Sequence, residues 1–228
     1  MADLNKLDRL RLTDHGAQLF PEAALAILQD LTAAMAGLPP DQAGVRIHGV
    51  PALRQLLAPN SSIGAIACKA IGAAATPVRA ILFDKSASTN WSLGWHQDRT
   101  ICVREKIEVA GFGPWSVKAG LHHVAPPMEL LSRMVTLRVH FDDVPASNAP
   151  LLIAPGSHRC GRVPESSVAQ VVAACGIVAC LARAGDVWAY STPILHASDA
   201  ASQPAHRRVL QVDFSADALP HGLEWLGV

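Results

Sequence analysis

Charge is scarce in this chain. Asp, Glu, Lys and Arg make up 17% of its 228 residues, against 50% hydrophobic. That balance excludes a self-repelling disordered polymer and leaves apolar material for one substantial core. Neither sign is in excess, since 19 Lys plus Arg stand against 19 Asp plus Glu. Nucleic acid and anionic membrane surfaces are therefore not expected partners. No stretch reaches about 18 uninterrupted apolar residues, so no transmembrane helix is expected. The polar start, MADLNKLDRLRLTDHG, holds no apolar signal-peptide segment. Cys68, Cys102, Cys160, Cys175 and Cys180 form no CxxC pair and are odd in number. They read as free thiols in a reducing compartment, which points to the cytoplasm. Repeats and long linkers are also missing, so residues 1–228 read as one domain.

What is present divides in two. Residues of about 15–75 read as helical. PEAALAILQDLTAAMA (21–36) has Pro21 and Glu22 suited to a first turn, and Leu25, Leu28 and Leu31 fall on one stripe. Gly37 and Pro39-Pro40 end it. VPALRQLLA (50–58) and SSIGAIACKAIG (61–72) suggest two more helices, the latter capped by serine. From about 78 to 215 the pattern is short strands between Pro, Gly and Asn turns: VRAILF (78–83), MVTLRVHFDD (134–143), two strands around Gly185-Asp186, and RRVLQVDFS (207–215). Such spacing favours an antiparallel double sheet or jelly roll over βαβ units.

The densest chemical signal is His96-Gln97-Asp98, with His196 one hundred positions later. If Trp95 to Asp98 is extended, His96 and Asp98 leave the same face. A histidine from a distant strand would complete a two-His, one-carboxylate triad. That set holds one side of an octahedral metal and leaves the other open, as in non-haem Fe(II) oxygenases. A lone His-x-Asp is a weak signal, and a lone His196 reads equally as a core histidine.

The order of motifs is more specific. WHQD (95–98), NAPLLIAPGSH (148–158), GD (185–186), HAS (196–198) and RR (207–208) follow one another at fixed spacing. In this, residues 79 to 215 resemble the phytanoyl-CoA dioxygenase family of Fe(II)- and 2-oxoglutarate-dependent oxygenases. The resemblance implies a mainly β fold, a double-stranded β-helix (jelly roll, cupin-like) with N-terminal helices packed on the barrel. It implies Fe(II) held by His96, Asp98 and His196, with 2-oxoglutarate and O2 as co-substrates. Arg207 would pair with the distal carboxylate of 2-oxoglutarate, and Ser198 would donate to it. Lys85, on the first long strand, is a further candidate contact. A guanidinium suits bidentate carboxylate recognition. Neighbouring strand residues face opposite ways, so one of Arg207 and Arg208 reaches the pocket; the eleven-residue offset from His196 favours Arg207. Where the family has Asn-Gly, this chain has Asn148-Ala149, and alanine accepts positive φ poorly. Asp98 retains the carboxylate that halogenating members lack, so the resemblance implies a hydroxylase or another oxidative enzyme rather than a halogenase, with a small molecule as the expected substrate. Nothing in the N-terminal part matches an acyl-CoA site.

Other residues are open. His122-His123 could line the mouth or a surface loop. Arg138 or His140 could face inward, and Trp188 and Tyr190 could supply an aromatic wall. His158 of PGSH would close the open metal face and is not assigned as a ligand. Two rival functions use the same residues. A metal hydrolase would activate water on Zn, and a cupin-like binding protein would keep the barrel without turnover.

Overall fold

The computed structural model describes residues 9–39 and 42–228. The first eight residues of the polar start, and Pro40, lie outside the described residues. Thirteen strands are described: β1 (Ala17–Phe20), β2 (Gly44–Ile47), β3 (Thr76–Lys85), β4 (Leu93–His96), β5 (Ile101–Val103), β6 (Trp115–Lys118), β7 (Leu121–Val124), β8 (Val135–His140), β9 (Leu151–Ile153), β10 (Val178–Cys180), β11 (Val187–Ser191), β12 (His196–Ser198) and β13 (Arg207–Ser215). They form a six-stranded sheet in the order β1-β11-β8-β13-β3-β2, a four-stranded sheet β10-β9-β12-β4, and a three-stranded sheet β5-β7-β6. All pairings are antiparallel. The fold is the mainly β, cupin-like arrangement expected from the motifs. Among the described residues the sheets remain separate and do not close into one barrel.

Alternation sorts the six-stranded sheet into two unlike faces. Val135, Leu137 and Val139 of β8 and Leu210, Val212 and Phe214 of β13 join one apolar cluster with Leu31, Leu53, Leu57 and Ile63. Leu31, Leu53 and Ile63 come from the helices Leu28–Ala34, Pro51–Leu56 and Ser62–Ile71, and Leu57 follows the second of them, so the helices cover this face. Each fully buried Leu or Val here contributes about 1.5–3 kcal/mol of transfer free energy. Thr136, Arg138 and His140 point the other way, toward the four-stranded sheet. A smaller cluster with Trp188, Tyr190, Leu151 and Ile153 ties the two sheets together.

The three N-terminal helices form, with two differences from the sequence reading. The helix expected from residue 21 starts as a 3₁₀ turn at Leu25–Ile27 and becomes α-helical at Leu28. Tertiary bonds hold the preceding turn elsewhere: Glu22 N donates to Asp186 Oδ1 (2.9 Å) and Ala24 N to the Gly185 carbonyl (2.9 Å). In addition, β1 and β2 lie within the stretch read as helical. They are four-residue strands on the two edges of the large sheet. The last helix matches its expected cap, with Gly64 N donating to Ser61 Oγ at 3.0 Å. A Cβ on Gly64 would lie 2.0 Å from the Ala58 carbonyl oxygen, so only glycine lets the helix sit against its preceding turn.

Candidate metal centre and cavity

His96 ends β4 and His196 begins β12, and the two are direct cross-strand partners. Their rings lie 4.3 Å apart. Asp98 follows two residues after β4. One ligand atom from each of His96, Asp98 and His196 lies within 4.8 Å of the others, near enough to share one ion. The protonation pattern fits a metal. His96 Nδ1 lies 2.7 Å from the Gly94 carbonyl and His196 Nδ1 3.0 Å from the Ile194 carbonyl. A carbonyl only accepts, so each Nδ1 is the donor and each Nε2 is the nitrogen that a metal would take. Asp98 Oδ2 accepts from Gln211 Nε2 (3.3 Å) and lies 3.5 Å from Arg79 Nη2, which leaves Oδ1 free.

Electrostatics favour the same state. Burial works to raise the Asp98 pKa, but Arg79 and then the two histidines outweigh it and hold the carboxyl below its usual range. Burial pushes His196 down to about 4 despite Asp98, so its imidazole is neutral. Gln211 is fixed in turn, its Oε1 accepting from Arg138 Nη1 at 2.8 Å and from the Tyr190 hydroxyl at 3.3 Å. Arg79 also donates to Asp213 Oδ2 at 2.5 Å. Burial raises the Asp213 pKa, against the pull of Arg79.

The triad lines a cavity of about 560 Å³ between the sheets, shared with Lys85, Arg138, Ser198 and Arg207. Arg207 and Lys85 are neighbours in the β13–β3 register. Arg207 is buried; its Nη1 donates to the Ala149 carbonyl, and its Nε has no hydrogen-bond partner. Burial, with Arg138 nearby, lowers its pKa to about 9. Ala149 adopts φ 50°, the left-handed conformation that a glycine would take without strain. Arg208 points away and pairs with Asp142 through Nε (2.9 Å) and Nη2 (2.6 Å).

Lys85 faces the cavity, yet its ammonium is already engaged. It donates to the Trp91 carbonyl (2.6 Å), Ser198 Oγ (2.9 Å) and the Asp199 carbonyl (2.8 Å). An ammonium has three donors, so direct contact with a co-substrate would mean giving one up. With Lys85 donating to it, the Ser198 hydroxyl in turn donates to the Asp199 carbonyl at 3.5 Å, a long bond that a better-placed acceptor could replace.

Several open residues find places. Arg138 and His140 both face inward, being two apart on β8. His140 is buried with neither ring nitrogen hydrogen-bonded, and burial lowers its pKa. Trp188 and Tyr190 also share the inner face, and Tyr190 lies 5.7 Å from the His196 ring. His122 and His123 belong to β7 and are not among the lining residues. His158 packs on Gly16, where a Cβ would approach its ring to 2.2 Å. Gln97 was invisible as a candidate. It is buried, donating to the Gly161 (2.9 Å) and Pro193 (2.8 Å) carbonyls while accepting from Val163 N (3.0 Å). The middle residue of His-Gln-Asp thus pins the chain after PGSH beside the end of β4.

The sequence matches the phytanoyl-CoA dioxygenase family over residues 55–209. That family depends on Fe(II) and 2-oxoglutarate. No curated protein matches the chain. Solved structures share the fold at low identity. AviO1 from Streptomyces viridochromogenes Tue57 is 19% identical, with 97% of this chain and 98% of that one covered and a TM-score of 0.61. EctD from S. alaskensis, in its apoform, is 19% identical over 95% of this chain and 78% of its own, with a TM-score of 0.61. The non-heme alpha ketoglutarate dependent epimerase SnoN, from nogalamycin biosynthesis, is 16% identical over 96% and 92%, with a TM-score of 0.62. SnoN has also been solved with Fe3+, alpha ketoglutarate and nogalamycin RO.

Proposed function

The chain belongs to the phytanoyl-CoA dioxygenase family, and from that premise we propose that it is an Fe(II)- and 2-oxoglutarate-dependent dioxygenase that hydroxylates a small molecule. The carrying observation is the shared cavity: three metal-type ligand atoms within 4.8 Å, and a buried arginine with an unpartnered Nε in the same lining. His96 Nε2, His196 Nε2 and Asp98 Oδ1 would hold the iron. With 2-oxoglutarate and O2, bound iron supplies an oxidant strong enough for an unactivated C–H bond.

The chain's own residues do the rest. Arg207 receives the distal carboxylate of 2-oxoglutarate, held in place by the Ala149 carbonyl. Ser198 donates its hydroxyl proton to the same carboxylate, and Lys85 orients Ser198. Arg138, Tyr190 and Gln211 keep Asp98 turned toward the metal. The apolar walls Ile81, Phe83 and Leu151 place the substrate C–H and exclude water. Hydrolysis on Zn is the weaker reading, because Asp98 is the sole carboxylate among the described lining residues and none remains as general base. Five free cysteines suit a cytoplasmic setting.

Labelled oxygen tests the reading. In the presence of Fe(II), a true substrate raises succinate formation and gains one oxygen atom from O2. A product oxygen from water alone, without matching succinate, would sink it. Zn supporting equal turnover would do the same.

A further inference from the structure

The cavity carries more positive charge than iron chemistry uses. Arg79 is offset by Asp213. A divalent metal on Asp98 has one net positive charge, dianionic 2-oxoglutarate reverses it, and Arg207 cancels the remainder. Lys85, Arg138, Arg46, Arg99 and Lys118 still line the space, with no further carboxylate among the described lining residues, though Asp199 acts on Lys85. Hydrogen bonds to neutral acceptors leave this positive charge unbalanced, and a cleft lined by one sign of charge attracts an anion.

These cations fall at two ends. Lys85, Arg138 and Arg207 lie together: Arg207 and Arg138 both add to the burial that lowers Lys85 to about 8. Arg46 of β2 and Lys118 of β6 line the same cavity from other strands, and both, with Arg79, act on His123 of β7. Arg46 stands on edge strand β2 opposite Ile81, in the cross-sheet row that continues through Gln211 to Arg138. Two strands therefore separate Arg46 from Arg138. The Nε of Arg46 is buried without a hydrogen-bond partner. Lys118 is exposed at the end of β6. Arg99 is nearer to being occupied, with Nη2 donating to the Val163 carbonyl. Ile81, Phe83 and Leu93 supply apolar surface in the same cavity.

We propose that the substrate is a small organic anion, an apolar body ending in a carboxylate or phosphate, and that Arg46 and Lys118 bind its charged end. Turnover of that anion rests on the oxygenase reading above; its binding does not. A planar guanidinium accepts either oxyanion through paired hydrogen bonds, and Lys118 adds a mobile point charge.

The test is a saturation-transfer NMR titration with hexanoate, hexyl phosphate and the neutral match hexanamide, done without iron or O2. At least one anion should bind at least about tenfold more tightly than hexanamide, the order of one charge-assisted pair. Preference for one anion names the group; equal binding of both assigns a general oxyanion site. Arg46→Gln should remove most of the preference. Lys118→Gln, an exposed change that cannot disturb the core, should reduce it and steepen no salt dependence. 2-Oxoglutarate is titrated separately by anaerobic calorimetry with Fe(II) present. Its failure to bind wild-type protein while the hexanoate preference persists would defeat the oxygenase reading and leave the anion site standing. Hexanamide matching both anions overturns the proposal. So does an Arg46→Gln protein that keeps its preference, or one that loses 2-oxoglutarate as severely as Arg207→Ala.

Discussion

The two faces of the six-stranded sheet share the same strands and do opposite things. On β13, Leu210, Val212 and Phe214 pack under the helices, while Arg207 and Gln211 face the cavity and Asp213, on the same side, pairs with Arg79. On β8, Leu137 and Val139 take the first side, Arg138 and His140 the second. Both faces are buried, yet one is almost wholly apolar and the other is a network of paired and unpaired charges. Burial alone therefore does not identify the core that holds the protein up. The apolar face gains from leaving water, whereas the inner face bears the desolvation of several cations and is offset only in part by its hydrogen bonds. Stability and chemistry are separated by a step of one residue.

Substitutions on each face should break that comparison in different measurements. The largest effect belongs to His196→Ala, which should abolish iron retention and succinate formation while thermal unfolding stays cooperative. Metal content unchanged by this substitution would remove His196 from the site. Next comes Arg207→Ala. Losing a buried charge partner should cost roughly 2–5 kcal/mol of 2-oxoglutarate binding, read by calorimetry, with iron still bound. Arg208→Ala, whose partner is Asp142, should change that affinity little; the reverse ranking would place the co-substrate on the wrong strand face. Leu137→Ala tests the apolar face. It should lower unfolding stability by about 3 kcal/mol in denaturant titration and leave 2-oxoglutarate affinity of the folded protein near wild type.

The smallest effect is a pH dependence. Burial lowers Lys85 from the usual 10.5 to about 8. Between these values the unfolded chain holds a proton that the folded form has released. Raising the pH through that window therefore favours folding, and the contribution is absent below about 8. Lys85→Met should flatten the rise between pH 8 and 10.5 in denaturant midpoints of the metal-free protein. An unchanged slope would show that Lys85 titrates normally.

The long strands were legible because alternation over six or more residues has a recognisable period, as in MVTLRVHF. The opposed directions of Arg207 and Arg208 followed from that period alone. Short edges were not legible. AQLF and GVRI are four residues each and carry no period, so β1 and β2 were hidden within a helical reading. The false start at residue 21 had a different origin, since Pro21 and Glu22 suit a helix and only the bonds to Gly185 and Asp186 pull them out of one. Order, spacing and residue type pointed to the ligand types of the triad, but nothing local marked Gln97 as a clamp or Arg46 as a cavity residue. Their roles depend on partners more than thirty positions away.

The pairing of His96 directly with His196 has a consequence for assembly. A slip of one residue between β4 and β12 would turn one imidazole to the opposite side of the sheet. Misregistered chains would thus be unable to close around an ion, however compact they were. Refolded samples titrated with a chelatable metal should reveal what fraction has docked its strands correctly, making the proposed centre a gauge of folding fidelity as well.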